Sequence, residues 1–428
     1  MSDSNTAIKR SGGLFYGWII VAACFFVATI TYGAGLSFGV FLTPLRESFS
    51  ETSAAVSGAY SLCMFLYAGF GLFVGWGVDK YGPKITTMFG GLLLGLGLLL
   101  TSQVNTMWQL YMTYGLIGIG MSPAYTPFMT TVSRWFAKRR GLALGIMTTG
   151  IGAGPLIIAP LASYLISTGG WRFSYLVIGS FAGLIIAAAL LLKRSPDEIG
   201  GFPNGETYNA NIPQPKTKVS KVTSESSGFS LKEAISTKAF WLLGSISLMV
   251  GIGLQMVLAH IVAYSEAKGI SPMTAATVLS TISGASIAGR IIMGMTSDRI
   301  GRKKALVICV FTEGIMIFWL IGASSAWMLF VFGAIFGFCY GGHVPQFPAL
   351  TAETLGLGHM GAILGAISIF WGARAALGPV LAGYILDTTG SYSSAFIVGV
   401  VAMFLAAAIT FLLKMPETKK ESYATTLT

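Results

Sequence analysis

Two arginines, Arg290 and Arg374, stand inside long apolar runs, where a charge is expensive. Arg290 lies eight residues before Asp298, in the polar break Ser297-Asp298-Arg299. At about 1.5 Å rise per residue, its guanidinium sits roughly 12 Å inside the end of a helix. If that helix crosses a bilayer, Arg290 is near the middle of ~30 Å of hydrocarbon. Arg374 lies 15 residues into an apolar span of 28 and reaches a similar depth. A charge there costs at least about 2.5–3.5 kcal/mol, which marks each arginine as a functional site. The chemistry on offer is anion recognition. A planar guanidinium forks onto carboxylate oxygens, and an anion stripped of water in transit needs such a partner. The competing reading is an internal salt bridge. Glu313 is the only acid deep within a span, and one carboxylate cannot neutralise two guanidiniums. Gln255 and His260 in the seventh span, and His343 in the tenth, are secondary candidates for a pathway. A lone histidine on a helix is more often structural.

The chain that must position these groups has 428 residues, 54% hydrophobic and only 10% charged. Soluble chains are about 25% charged. Apolar runs of 18 or more residues recur along most of the length, which predicts a polytopic helical membrane protein. Short alternating segments of a β-barrel do not dominate. The first run, residues 15–45, is about twice the length of a signal-peptide core and reads as a retained helix. Cys24, Cys63, Cys309 and Cys339 all fall in apolar runs without CxxC spacing, so they read as small buried residues.

Twelve helices are expected, at 15–45, 52–78, 84–103, 107–134, 140–167, 171–193, 239–267, 271–297, 303–322, 326–353, 359–386 and 392–414. Residues 194–238 are polar and rich in Ser, Lys, Pro and Asn, a loop with a short surface helix near Ser230–Ser236. When loops alternate sides, 22 of the 27 Lys and Arg residues share the side of the termini and the central loop. Arg46, Arg172 and Lys268 fall on the other side. The positive-inside rule places both termini in the cytoplasm. The net charge of +11 is thus accounted for by topology and lipid headgroups, not by a nucleic-acid face.

The halves repeat. GWGVDKYGPK (75–84) returns as GMTSDRIGRK (294–303) at an offset of 219. LASYLISTGG (161–170) returns as LAGYILDTTG (381–390) at 220, and GLALGI (141–146) as GAILGA (361–366) at the same offset. Two six-helix units in parallel repeat predict a substrate site at the midplane between them. The expected organisation is a first bundle over 1–193, a central loop over 194–238 and a second bundle over 239–428. At these offsets Arg290 aligns with Gly71 and Arg374 with Gly154. The charge is therefore one-sided. The second half would grip an anion, and the first would close over it with apolar and aromatic surface.

The repeated G-x-x-x-D-[RK]-x-G-x-[KR] element resembles the cytoplasmic loop motif of the major facilitator superfamily. The resemblance implies that Asp79 and Asp298 sit at helix ends, pair with loop Arg or Lys such as Arg299 and Arg302, and latch the halves. WFAKRRGLALGIMTTG (135–150) resembles the monocarboxylate transporter signature at the start of the fifth helix, and FYGW (15–18) its first-helix motif. Trp135, Met147 and Thr149 depart from that signature, and the opening motif lacks its acidic residue. The spacing of Arg290 and of Trp371-Gly-Ala-Arg374 resembles bacterial oxalate–formate antiporters, which carry Lys at the second position. That resemblance implies pocket roles for Tyr125, Tyr340 and Trp371, each able to donate a hydrogen bond beside an apolar wall. It also implies a peripheral ninth helix, with Glu313 facing scaffold or lipid. Mammalian monocarboxylate carriers use an Asp four residues before the eighth-helix Arg and a Lys in the first helix. Here those positions are Ser286 and Leu36. Leu36 and Val344 replace tyrosines of the oxalate carriers, which predicts a roomier, less aromatic pocket.

The expectation is an all-α membrane protein of twelve transmembrane helices in two pseudosymmetric six-helix bundles. It would be a multi-pass protein of the cell (inner) membrane that works as a monomer and needs no cofactor or metal. It would carry lactate- or pyruvate-like carboxylates by alternating access, as proton symport or anion exchange. A dicarboxylate or formate antiporter and a non-transporting carboxylate sensor are the alternatives. No HExxH, Cys/His or Ser/His constellation in the spans favours an enzyme.

Overall fold

The structure, a computed structural model, describes residues 15–136, 140–199, 229–356 and 360–413. Among them, ten helical segments are long and apolar enough to cross a membrane. One of these, Ala143–Ala189, contains two spans separated at Gly170. A further span over residues 107–135 is interrupted by a 3₁₀ turn at Ser122–Ala124. The total of twelve matches the sequence expectation.

In chain order, α1 comprises Tyr16–Leu36 and Phe38–Phe49. Residues 53–81 form α2 and 83–101 form α3, parted at Gly82. Met107–Met121 and Thr126–Trp135 form α4. Residues 140–169 form α5 and 171–189 form α6. The second set is α7 (Lys238–Ala267), α8 (Pro272–Ile300), α9 (Arg302–Gly322), α10 (Ala326–His343 and Gln346–Leu355), α11 (Met360–Thr389) and α12 (Tyr392–Leu412). The short helix expected near Ser230 is present at Leu231–Ser236, started by a capping box between Ser230 and Glu233.

The repeat extends to the backbone. Gly82 (φ 83°) and Gly301 (φ 91°) end the second helix of each half, and Gly170 (φ 78°) and Gly390 (φ 67°) the fifth. Each pair stands at the sequence offset of the repeat. Left-handed φ is open to glycine at little cost and closes a helix sharply, so four glycines set four of the hairpins.

The halves meet along α2 with α11 and α5 with α8. At one end the contact is a set of built polar links. Asp387, near the end of α11, accepts the backbone N–H of Ser53 (3.0 Å) and of Ala54 (2.7 Å) at the start of α2. The first N–H groups of a helix lack intrahelical partners and carry partial positive charge, so a carboxylate there is stabilising. One turn deeper, His260 Nε2 lies 3.0 Å from the Pro379 carbonyl and 3.3 Å from Ser57 Oγ. A carbonyl can only accept, so Nε2 carries the proton. At the opposite end, Asp298 pairs with Arg302 (3.1 Å), Arg302 with Glu353 (2.8 Å), and Lys303 donates to the carbonyls of Phe411 and Leu413. All of these contacts stay within the second half.

The Asp387 cap gives a first expected result. Asp387→Ala removes both acceptors at an inter-half helix start, a loss of about 0.5–2 kcal/mol for N-cap acceptors. The closed population at this end should fall by roughly 2- to 30-fold relative to the open one. Distances between spin labels at Ser50→Cys and Ser391→Cys, measured by pulsed dipolar spectroscopy, check this. An unchanged distance distribution would remove the latch role.

Candidate functional site

The centre of the molecule is built on the two arginines. In α8, Arg290 is held by one hydrogen bond from its Nη1 to the carbonyl of Thr148 on α5, 2.8 Å away and across the half interface. Its guanidinium carbon lies 6.0 Å from the Tyr340 ring centroid, and its Nε is buried without a partner. In α11, Arg374 donates from Nη1 to the Ser247 carbonyl on α7 at 3.2 Å, and its guanidinium carbon lies 5.2 Å from the Trp371 ring. Only 6% of Arg374 is exposed. Neither guanidinium has a carboxylate partner among the described residues. The internal salt-bridge reading therefore has no support here. Each arginine keeps most of its five N–H donors for something else.

The aromatic groups connect the two. Trp371 meets Tyr67 of α2 edge-on, with centroids 5.6 Å apart, and the Tyr67 hydroxyl is 2.7 Å from that of Tyr32 on α1. Tyr340 lies within electrostatic range of Arg374 and of Tyr32. Tyr125 follows the 3₁₀ turn in α4, and its hydroxyl lies in range of Arg290. The three expected aromatics thus surround the arginines. Tyr32 and Tyr67 were not foreseen. The signal was available, since Tyr32 stands one helical turn from Leu36, a pocket position, and Tyr67 one turn from Gly71, the repeat counterpart of Arg290.

Beside Arg290 is a narrow pocket lined by Leu36, Ile151, Pro155, Ser283, Ser286 and Tyr340, with clear space on the order of a single water. The roomier pocket expected from Leu36 is not found in this conformation, because α5 packs closely on α8. A Cβ on Gly152 would lie 2.8–3.2 Å from Ile287, the Ser283 carbonyl and Ser286. Val344 does not line this pocket. Ser286, where an aspartate might stand, is buried and bonded to the Ser283 carbonyl at 2.7 Å.

Other candidates are placed differently. Gln255 is buried against Gly378, its Oε1 without a partner. His260 belongs to the inter-half contact described above, not to the arginine centre. Asp298 and Arg302 pair at a helix end, but among the described residues they join none of the first half. Arg299 is exposed, and the Asp79 side chain lies outside the described residues.

Of the two surroundings that the resemblance leaves open for Glu313, scaffold or lipid, the structure shows the scaffold. Glu313 is fully buried in α9 and hydrogen-bonded through Oε1 to Nδ1 of His343 on α10, 2.6 Å away. α9 contributes to the interior of its half because a polar partner on α10 draws this face inward. Glu313 also lies in electrostatic range of Arg374.

The whole chain has known relatives. The family model of the Major Facilitator Superfamily matches residues 21–294 and 241–427. The chain belongs to the Major Facilitator Superfamily. It is 27% identical over 405 residues to monocarboxylate transporter 13 of Rattus norvegicus, covering 94% of this chain and 89% of that one. It is equally 27% identical, over 418 residues, to the oxalate:formate antiporter of Oxalobacter formigenes, covering 95% and 94%. Among solved structures, a bacterial homologue of the human lysosomal transporter Spinster, inward-facing and unoccupied, superposes with a TM-score of 0.72. That match covers 94% of this chain and 98% of the other at 15% identity, and it shows the facilitator fold. This superfamily member is a multi-pass membrane protein of the transporter class.

Proposed function

We propose that the protein is a secondary transporter of small organic carboxylates of the lactate or pyruvate class. One observation carries the reading: two guanidiniums, unpaired by any carboxylate among the described residues, face one another's surroundings at the centre of the bundle. The relatives named for monocarboxylate and for oxalate:formate transport support the same substrate class. Arg290, Arg374, Tyr125, Tyr340 and Trp371 form the binding site. The halves, 1–193 and 239–428 joined by 194–238, rock about it. With the 22 basic residues in the cytoplasm, the end closed by Asp387 faces outward and the site is reached from the cytoplasm of the cell membrane. The protein acts as a monomer.

A carboxylate entering between Arg290 and Arg374 replaces the weak carbonyl contacts of both with charge-assisted bonds. Arg290 then releases the Thr148 carbonyl, which is one of the bonds between the halves. Substrate binding and the inter-half contact thus compete for one donor. The test is flux of labelled lactate, oxalate and formate in proteoliposomes, with and without a pH gradient or a trans anion. Accumulation of any of them supports transport. Binding without accumulation in all conditions would make the protein a sensor. The dicarboxylate or formate exchanger is the second reading, favoured by the presence of two cations. It requires that flux depend on a trans anion alone.

A further inference from the structure

The pair Glu313–His343 is a buried acid–base pair in the second half that carboxylate binding leaves unexplained. Both side chains are fully buried, and the Oε1–Nδ1 separation is 2.6 Å. Two atoms of the pair, Glu313 Oε2 and His343 Nε2, are buried without a hydrogen-bond partner. Buried polar atoms are almost always satisfied, and two exceptions on one pair call for a reason. A pair kept only for stability would be a poor choice, since well-packed apolar residues are often as good.

The chemistry of the atoms supplies a reason. With Glu313 ionised, Nδ1–H donates to Oε1, and the vacant atom on the imidazole is Nε2, a lone pair able to take a proton. The pair then passes from carboxylate plus neutral imidazole to carboxylate plus imidazolium. No bond within the protein breaks. The proton arrives from water on one side of the membrane and is lost to water on the other. The neighbouring ionisable groups are the Cys309 thiol on α9, Cys339 and Tyr340 on α10, Arg374 on α11, and Arg290 on α8 beyond Tyr340. Cys309 and Cys339 are buried thiols. Both arginines are cations, which oppose a further positive charge until a carboxylate lies between them.

The pair is also connected to the centre. The His343 ring is 5.9 Å from that of Tyr340, and Tyr340 stands over Arg290 at 6.0 Å. We infer that Glu313 and His343 form the binding site for a transported proton, filled in concert with the carboxylate held by Arg290 and Arg374. An anion beside the two arginines offsets their charge and makes protonation of His343 easier. By linkage, a proton on His343 tightens carboxylate binding by the same factor. One carboxylate and one proton together carry no net charge, so transport is electroneutral. The site stands where neither Ser286 nor Leu36 provides a titratable group. This inference rests on the carboxylate reading above.

The test uses the full chain in proteoliposomes with labelled lactate, oxalate or formate. Wild type should show uptake of the monoanions lactate or formate raised several-fold by an inward proton gradient and unaffected by a valinomycin-clamped potential. In Glu313→Gln and His343→Gln, the ratio of rates with and without the gradient should fall to about one, while exchange against trans anion at equal pH continues. Glu313→Asp should restore part of the gradient response. If single variants fail to fold, Glu313→Gln combined with His343→Gln keeps an amide hydrogen bond in place of the ionisable pair and is read in the same way. Undiminished gradient stimulation in the variants overturns the proton site alone, as does carboxylate exchange in wild type that ignores a proton gradient. Absence of flux for all three anions in wild type overturns the carboxylate reading, and the coupling falls with it.

Discussion

Arg374→Gln is expected to lower carboxylate uptake by about 10²- to 5 × 10³-fold, the range that follows from removing one partner of a buried charge pair. Arg290→Gln should fall in the same range. The effect follows from geometry. Each guanidinium is fixed by a single backbone carbonyl, Ser247 for Arg374 and Thr148 for Arg290, and is flanked by one aromatic ring. Among the described residues neither guanidinium has a carboxylate within salt-bridge distance. Glutamine keeps volume and polarity but loses charge and fork. Lysine should rescue poorly at either position, because a point charge cannot supply two parallel donors or stack on Trp371 or Tyr340. Initial rates of labelled lactate uptake in proteoliposomes, normalised to protein recovered, measure all four variants. The two sites are not equivalent in one respect. Arg290 also ties α8 to α5 across the interface, so Arg290→Gln should loosen the closed contact between these helices, whereas Arg374→Gln should not.

The second large effect is expected at a residue with no polar group. Gly251 on α7 lies directly against the stem of Arg374. An added Cβ there would overlap Cδ and Cγ of the arginine. Gly251→Ala cannot be accommodated without moving the guanidinium, and Gly251→Val still less so. Overpacking costs about 1–3 kcal/mol in well-packed interiors, which corresponds to roughly 5- to 150-fold in affinity if it is taken from the arginine's binding position. Apparent KM for the carboxylate should rise by such a factor while the protein remains folded and inserted. A double-variant cycle separates this from general damage. Because Gly251 acts through the stem of Arg374, Gly251→Ala added to Arg374→Ala, which removes Cγ and Cδ, should cost almost nothing further. Additive losses would mean that Gly251 serves packing alone.

These residues also show what a sequence can and cannot disclose in a membrane chain. Depth is legible. A charge within an apolar run fixes its distance from the nearest polar turn, and Arg290 and Arg374 were placed by counting. Hairpins are legible too, because Gly82 and Gly301, Gly170 and Gly390 recur at the repeat offset and only glycine takes that φ readily. Rotation about the helix axis is not. A span that is apolar all round carries no stripe to say which face is inward. Scaffold and lipid thus both stay open for Glu313 in the sequence, and only its partner His343, thirty residues later, shows that it points inward. The same ambiguity hid Tyr32 and Tyr67, whose residue type is as common at a lipid interface as in a pocket. Asp387 was visible only as an acid at a helix end. Its role as a cap for α2 depends on a contact 334 residues away in the chain. The motif resemblance implies a loop cation beside Asp298, and Arg302 stands 3.1 Å from it, but whether that pair joins the halves depends on conformation, which no local pattern encodes.

The account's central claim is that Arg290 and Arg374 together hold the carboxylate. Its most direct test is equilibrium binding of lactate and oxalate to purified wild-type protein and to the Arg290→Gln/Arg374→Gln double variant, by calorimetry in detergent at fixed pH. The account predicts saturable binding of at least one of the two anions to wild type and none to the double variant, with both proteins unfolding cooperatively. Unchanged carboxylate affinity in the folded double variant would contradict it.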